Sequence, residues 1–342
     1  MQGRQPVVNG EAVESRPAQP LVTIIIPFFQ RKSGLLQRAV RSVLAQQGID
    51  DWHIIIVDDG SPVDPMKELG PLESELAGRV TLVRQPNRGA SAARNTALNR
   101  LDRHQPIVAF LDSDDIWNDG HLQRLCTAFA AGADFYFENY HRYDEPLPRF
   151  SRSDLTGHRI ECADNKEELY WLDGDFFDIL LNGSPATTST IAYRHAKAPH
   201  LRFRTDLWFC EDIFFWMQMS RIAQKVAFSR ILGVHCGKGI NISEGAWGTL
   251  KLAKVFLSHS RYHHLVRSEF VLTPEQDRWT RSMLGGLDVD FWEAALAAGI
   301  RGEYRSIPLV VNYLAMRPQA ATRLPAALAK ALHNKFLKPH PV

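Results

Sequence analysis

The chain has no excess of either charge, no long apolar run and no paired cysteines, and each absence closes off a class of protein. Lys and Arg number 40 against 38 Asp and Glu, a net charge of +2. No strong field points to nucleic acid as a partner. No stretch approaches the ~20 apolar residues that a membrane span needs, and the N-terminus lacks the apolar core of a signal peptide. The four cysteines, Cys126, Cys162, Cys210 and Cys236, form no CxxC pair, which argues against a zinc site. Four in a chain of this length make no disulfide framework, so a reducing, cytoplasmic compartment fits. Internal repeats and low-complexity tracts are missing too. Residues 1–20 are polar and Pro-containing and read as a loose tail.

What is present is the composition of a globular protein, 45% hydrophobic and 23% charged, and 342 residues suit one large or two medium domains. The sequence is organised around Ile107-Val108-Ala109-Phe110-Leu111, an apolar run that enters the carboxylates Asp112, Asp114 and Asp115. A run without alternation predicts a strand covered on both faces. Val22-Thr23-Ile24-Ile25-Ile26, stopped by Pro27, predicts a first strand. His53-Ile54-Ile55-Ile56-Val57 predicts a second, again ending in acid at Asp58-Asp59, and Val80-Thr81-Leu82-Val83 a third. A helix is expected between the first two strands, where Leu35, Leu36, Ala39, Val40, Val43 and Leu44 recur at helical spacing before Gly48. Further helices are expected from about Pro65 to Leu76, Ala90 to Leu101 and Asp119 to Ala130, and a strand at Ala133-Asp134-Phe135-Tyr136-Phe137. This alternation argues for a right-handed, mainly parallel α/β sheet.

Ligands in such sheets bind at the carboxyl ends of the strands. Closely spaced like charges repel, and a divalent cation bound by oxygen ligands would offset that. The same carboxylates also read as a solvated turn capping the next helix, and capping explains one such strand end well but two less well.

The later chain is harder to parse. From Tyr140 to Gly183 the periodicity weakens, and Arg142, Asp144, Arg149, Arg152 and Asp154 suggest an exposed excursion. Glu211-Asp212 lies inside the aromatic run Trp208 to Met217, where two acids are unusual, although a helix start also favours anions. Val226-Ala227-Phe228 reads as a short strand and Gly233-Val234-His235-Cys236-Gly237 as a turn. Helical segments fill residues 247 to 316. A final helix from Arg323 to Leu337 gathers Leu324, Ala327, Leu328, Ala331, Leu332 and Phe336 on one side. Its Lys330, His333, Lys335 and Lys338 could touch anionic lipid, although packing on the core is the stronger reading.

Taken in order, five stretches resemble the family 2 glycosyltransferases, enzymes with the GT-A nucleotide-sugar fold. They are Thr23–Phe29, Val57–Ser61, Asn87–Asn95, Phe110–Asp115 and Glu211-Asp212. The resemblance covers about residues 21 to 245, leaving 246 to 342 as a helical extension. The Phe-Phe-Gln opening and the Gly-Val-His segment look closest to bacterial transferases that extend succinoglycan-type exopolysaccharides. The resemblance implies a UDP-sugar donor, a Mg²⁺ or Mn²⁺ cofactor, and a growing, lipid-linked oligosaccharide acceptor at the inner face of the membrane. By position it implies that Pro27, Phe28 and Phe29 line the nucleotide pocket, that Asp58 and Asp59 meet uracil and ribose, and that Arg94 supports the pocket or the diphosphate. It implies that Asp112 and Asp114 are the acids of the Asp-x-Asp motif, Asp114 on the metal and Asp112 on ribose or metal-bound water. Ser113 lies between them in the donor pocket, and His235 stands where many such enzymes place a late metal-binding His. Glu211-Asp212 matches the acidic pair, with Asp212 the catalytic base of an inverting single displacement. Phe28-Phe29 departs from the commoner Tyr-Asn, which puts the base contacts in doubt.

Two other classes are compatible with carboxylates on a nucleotide-binding sheet. A nucleotidyltransferase normally has a glycine-rich basic loop after the first strand, and here residues 27 to 34 hold a single glycine, Gly34. A non-catalytic nucleotide-sugar or carbohydrate-binding module would have no need to keep Asp112, Asp114 and Asp212 together.

Overall fold

A computed structural model of the chain describes residues 21–76, 78–151, 155, 159–161, 168–238, 249–302 and 306–337. The tail at residues 1–20, and Arg152, Asp154 and Lys338, lie outside the described residues.

The first half alternates as expected: β1 (Val22–Phe28), α1 (Leu35–Leu44), β2 (Trp52–Asp58), α2 (Pro65–Leu69), α3 (Glu73–Leu76), β3 (Val80–Arg84), α4 (Ala90–Leu98), β4 (Ile107–Phe110), β5 (Ile116–Trp117), α5 (His121–Ala130) and β6 (Phe135–Arg142). The remaining elements are β7 (Arg159–Glu161), β8 (Leu169–Leu172), α6 (Phe176–Gly183), β9 (Ala192–Arg194), α7 (Glu211–Ser220), β10 (Val226–Cys236), α8 (Leu250–Glu269), α9 (Pro274–Ile300), α10 (Ser306–Met316) and α11 (Leu324–Leu337). Among the described residues the sheet runs β3-β2-β1-β4-β9-β6-β10-β8-β7, with β5 pairing to β10. It is parallel from β3 to β4 and again between β6 and β10, and β9 joins these parts antiparallel to both.

The two-residue period of a strand sorts the sheet's side chains into two layers. Ile24, Ile26, Phe28, Ile54 and Ile56 pack with Leu36, Val40 and Val43 of α1 and Leu125 of α5. Ile25, Ile55, Val57, Val108 and Phe110 pack on the other face with Ala93 and Ala97 of α4 and Phe214 to Met217 of α7. Covered on both faces, these strands need apolar residues on both sides, and apart from Thr23, His53 and the terminal Asp58 that is the pattern the sequence displays.

Three expectations fail for local reasons. The helix expected through Leu76 breaks at Gly70-Pro71 into α2, a 3₁₀ turn and α3, because proline supplies no N–H inside a helix. The strand expected to end at Phe137 runs on to Arg142, and Tyr140, where an exposed excursion was expected to begin, is buried. The turn expected at Gly233 to Gly237 is strand: β10 spans Val226–Cys236, with register shifts between Ser229 and Val234. Its glycine marks a close approach. A Cβ on Gly233 would lie 1.3 Å from Glu138 Oε1. Glu138, fully buried, accepts from His121 Nδ1, from Arg124 Nε at 2.9 Å and from the Tyr136 hydroxyl at 2.9 Å.

The C-terminal helices form a further apolar cluster around Phe291, Trp292 and Tyr313. The salt bridge of Arg317 to Asp288, 2.6 Å, lies buried beside it. Helix α11 packs on α9: Ala327 is buried, and Lys330 pairs with Asp290 at 2.7 Å and Glu293 at 3.0 Å. No described helix is long and apolar enough to cross a membrane.

Helix α8 carries a pH-sensitive pair. His263 is 1% exposed, neither ring nitrogen has a hydrogen-bond partner, and His259 lies 5.0 Å away. Burial pushes His259 down to about 4 and His263, further opposed by His259, to about 3. Both stay neutral in the folded chain but protonate in the unfolded one. Their contribution to stability is therefore complete above about pH 6.5 and is lost as pH falls toward 4. A His263→Phe variant is expected to lose less stability than the parent between pH 6.5 and 4, measured by urea denaturation at each pH.

Candidate active site

The carboxyl ends of β1, β2 and β4 meet the start of α7 around a cleft of about 550 Å³. Parallel register sets this up. Phe28 pairs with Asp58 across β1 and β2, and Phe110 pairs with Ile25, so Asp112 emerges beside the β1 end. Pro27, Phe28, Phe29, Asp59, Arg94, Asp112, Ser113, Asp114, Glu211 and Asp212, each singled out in the sequence, line that one cleft.

Arg94 is its electrostatic centre. The residue is 3% exposed; Nη2 donates to Asp112 Oδ1 at 2.7 Å and Nη1 to Glu211 Oε1 at 3.3 Å. Burial pulls its pKa down, but the facing carboxylates of Asp112 and Glu211 hold it above its ordinary value. One buried cation thus ties the end of β4 to the first turn of α7. Asn95, the next residue, exchanges two 2.8 Å hydrogen bonds with the Phe203 backbone and so holds the approach to α7 against α4.

Arg94 occupies Glu211 and leaves Asp212 beside the open cleft. Burial raises the Asp212 pKa, and the positive charge of Arg94 opposes the rise. Burial and then the Asp212 charge push Glu211 up to about 7. Cys210, the residue before the pair, sits at φ 63°, a left-handed conformation that non-glycine residues avoid. Such strain persists where surrounding structure enforces it. Here the Ser258 hydroxyl of α8 accepts from the backbone N–H of both Trp208 and Phe209 at 2.9 Å. Nothing in the sequence marked Cys210 or Ser258, since their roles depend on backbone shape and a distant helix.

The Asp-rich turn divides its work. Asp115 is buried and accepts from the Ser189 hydroxyl at 2.5 Å and from Gly237 N–H at 2.8 Å, so it shapes the turn. Ser113 borders the cleft, but its hydroxyl is buried and accepts from Gln30 at 3.1 Å. Asp114 remains beside the cleft. Burial and the neighbouring Asp112 charge push it up to about 6, the signature of a carboxylate short of positive charge.

This donor set fits a hard cation held in the usual manner of Mg²⁺: one or two carboxylates, with phosphate and water completing the shell. It does not form a closed protein cage. Among the described residues no group of three His, Cys, Asp or Glu side chains is placed to hold a metal alone. His235, expected in the ligand set with Asp112 and Asp114, is exposed on β10. It lines an adjoining depression shared with Asp114 and packs edge-on against His141 at 5.9 Å.

Asp58 and Asp59, expected to meet the nucleotide, are engaged by the chain's own turns. Asp58 does not border the cleft, and its Oδ1 accepts from Ser61 N–H at 2.8 Å. Asp59 borders it, yet both its oxygens are engaged: Oδ1 by Gln85 at 2.6 Å and Arg88 N–H at 2.9 Å, Oδ2 by Gly89 N–H at 2.7 Å. Asp59 therefore clamps the 87–89 turn on which α4 begins. Phe28 is core, 1% exposed, while Phe29 is half-buried at the cleft. The small residues Ala90 and Ala93 leave the cleft wall open. The aromatic run splits in the same way: Phe214 and Trp216 are fully buried, whereas Trp208 and Phe209 line the cleft.

Comparison with known proteins agrees with this geometry. The chain is 31% identical over 224 residues to the succinoglycan biosynthesis protein ExoW of Rhizobium meliloti, covering 65% of this chain and 70% of that one. It is also 31% identical over 121 residues to the Escherichia coli UDP-Glc:alpha-D-GlcNAc-diphosphoundecaprenol beta-1,3-glucosyltransferase WfgD, covering 35% of this chain and 46% of WfgD. Among solved structures, S. aureus TarS 1–349 in complex with UDP-GlcNAc superposes with a TM-score of 0.60 at 15% identity, over 92% of this chain and 88% of that one. The mannosyltransferase PcManGT of Pyrobaculum calidifontis, in complex with GDP-Man and Mn²⁺, gives 0.52 at 16% identity over 94% and 89%. These likenesses identify a GT-A glycosyltransferase fold. Residues 23–198 match the profile of Glycosyl transferase family 2, and the chain belongs to that family of glycosyltransferases.

Proposed function

We propose that the protein transfers a hexose, glucose in the first instance, from a UDP-sugar to a saccharide acceptor with inversion at the anomeric carbon. The observation that carries this reading is the division of labour around Arg94: one acid of the pair is bound to the guanidinium, and Asp212 stands beside the cleft. The acceptor hydroxyl is a poor nucleophile. In this reading the Asp212 carboxylate takes its proton as the acceptor oxygen bonds to the anomeric carbon and the bond to the diphosphate breaks. UDP leaves from the opposite face. Asp114, with Asp112, would hold Mg²⁺ or Mn²⁺, which neutralises charge on a leaving diphosphate. In this reading Phe29, Asp59, Asn87, Gly89 and Ala90, which line the cleft, would meet the nucleotide.

The exopolysaccharide setting, a lipid-linked acceptor and work at the inner face of the membrane belong to the same proposal. They draw support from the names of the similar proteins, ExoW and WfgD. The division near residue 245 into a catalytic part and a helical extension is supported by the separate apolar cluster around Phe291 and Tyr313.

Thermal unfolding against a panel of nucleotide sugars tests the donor. UDP-glucose with Mn²⁺ is expected to raise the unfolding midpoint more than GDP-mannose does, because a ligand that binds only the folded state stabilises it. Equal or larger shifts with GDP-sugars would overturn the donor assignment.

A further inference from the structure

Trp208 borders two spaces at once. It lines the cleft that holds Asp212, and it also lines a second depression of about 420 Å³ with Lys251 and Lys254 of α8. The residue is 43% exposed, which is unusual beside Phe214, Phe215 and Trp216, all fully buried in the same run. The position is built rather than incidental. Ser258 of α8 holds the backbone N–H groups of Trp208 and Phe209, and Phe209 packs edge-on against His259 of the same helix at 5.5 Å. Lys251 and Lys254 stand three residues apart, so they share one face of α8. An exposed indole thus lies between the base and a pair of lysines.

From this juxtaposition we infer that Trp208, Lys251 and Lys254 form an acceptor subsite for a saccharide that carries an anionic group. The inference rests on the transferase reading above and specifies the acceptor it left open. An acceptor whose hydroxyl reaches Asp212 must extend away from the donor, and Trp208 lines the same cleft and continues into the lysine-lined depression. The apolar C–H face of a pyranose packs on an indole, which supplies area at little conformational cost. The ammonium groups beyond it favour an anion on the same or the next sugar, through charge pairing that salt weakens. Phosphate on a carrier and carboxylate on an acidic sugar share this chemistry.

Titration calorimetry on the full chain, saturated with UDP and Mn²⁺, tests the subsite with methyl β-D-glucopyranoside, glucose 1-phosphate and glucuronic acid. Saturation with UDP keeps the phosphate probe out of the donor site. At least one anionic sugar is expected to bind at least tenfold more tightly than the methyl glucoside, and the stronger of the two tells phosphate from carboxylate. This preference should vanish in the Lys251→Ala/Lys254→Ala variant and in 0.5 M NaCl, and survive in Lys251→Arg/Lys254→Arg. Trp208→Ala should weaken all three sugars about equally. The inference is overturned if the methyl glucoside binds as well as both anionic sugars, if the preference persists without the lysines, or if a protein that binds UDP normally binds neither anionic sugar. Failure to bind UDP in the same titration would contradict the transferase reading instead.

Discussion

Replacing Asp212 with Asn is expected to lower the rate of sugar transfer by about a thousandfold while leaving UDP affinity within about twofold, a range set by what general bases contribute. The asparagine keeps the size of the side chain, and its carbonyl can still accept from Ile213 N–H, now 2.7 Å from Asp212 Oδ1. Arg94 stays between Asp112 and Glu211, so the donor end of the cleft is undisturbed. What disappears is the ability to accept a proton. Burial has raised the pKa of this group, which makes its carboxylate more basic than an exposed one. Steady-state rates and UDP titration on the same preparation give the answer. Near-normal turnover in the variant would mean that Glu211, or a group outside the cleft, removes the proton.

Asp114→Ala should abolish the benefit of metal for donor binding. UDP affinity in Mn²⁺ is expected to fall by at least about tenfold, to the level of the parent protein without metal, because Asp114 would hold the ion that offsets the charge of the diphosphate. A second consequence runs the other way. Burial and the Asp112 charge disfavour ionised Asp114 in the folded chain, and its pKa is pushed up to about 6. A carboxyl raised above its unfolded value stabilises the fold only in acid, and this contribution is lost as pH rises through about 6. At pH 8 the unliganded Asp114→Ala protein should therefore be no less stable than the parent. Loss of binding with gain of stability would mark a residue kept for function at the expense of the fold. UDP affinity that stays sensitive to Mn²⁺ in the variant would remove Asp114 from the metal site.

The legible parts of the sequence were those set by local pattern. Unbroken apolar runs announced β1, β2 and β4 because strands covered on both faces have no polar side. Acidic strand ends announced the cleft because parallel strands bring their carboxyl ends to one edge. Residues whose role depends on distant partners were harder to place. Asp58 and Asp59 carry the right chemistry in the right position, but Asp58 Oδ1 and both oxygens of Asp59 are engaged by turn N–H groups and Gln85. Gly233 looked like a turn, yet it is a strand glycine required by buried Glu138. His235 has a metal ligand's chemistry, but the pairing of β10 with β6 sets it beside His141. Cys210 was silent because its significance is a backbone angle enforced by the packing around it. The C-terminal helices were legible as helices but not as neighbours of the segment before Glu211-Asp212, since the Ser258 bridge joins residues about fifty positions apart in the sequence.

Single-displacement transfer from a UDP-hexose leaves a stereochemical mark that can be read without knowing the acceptor. Given UDP-glucose, Mn²⁺ and no saccharide, the enzyme should hydrolyse the donor slowly, with water taking the acceptor's place. Proton NMR in the first minutes reads the anomer of the glucose released, before mutarotation mixes the two forms. β-Glucose is expected to appear first from the α-linked donor, at a rate that collapses in Asp212→Asn. Release of α-glucose first would contradict single displacement.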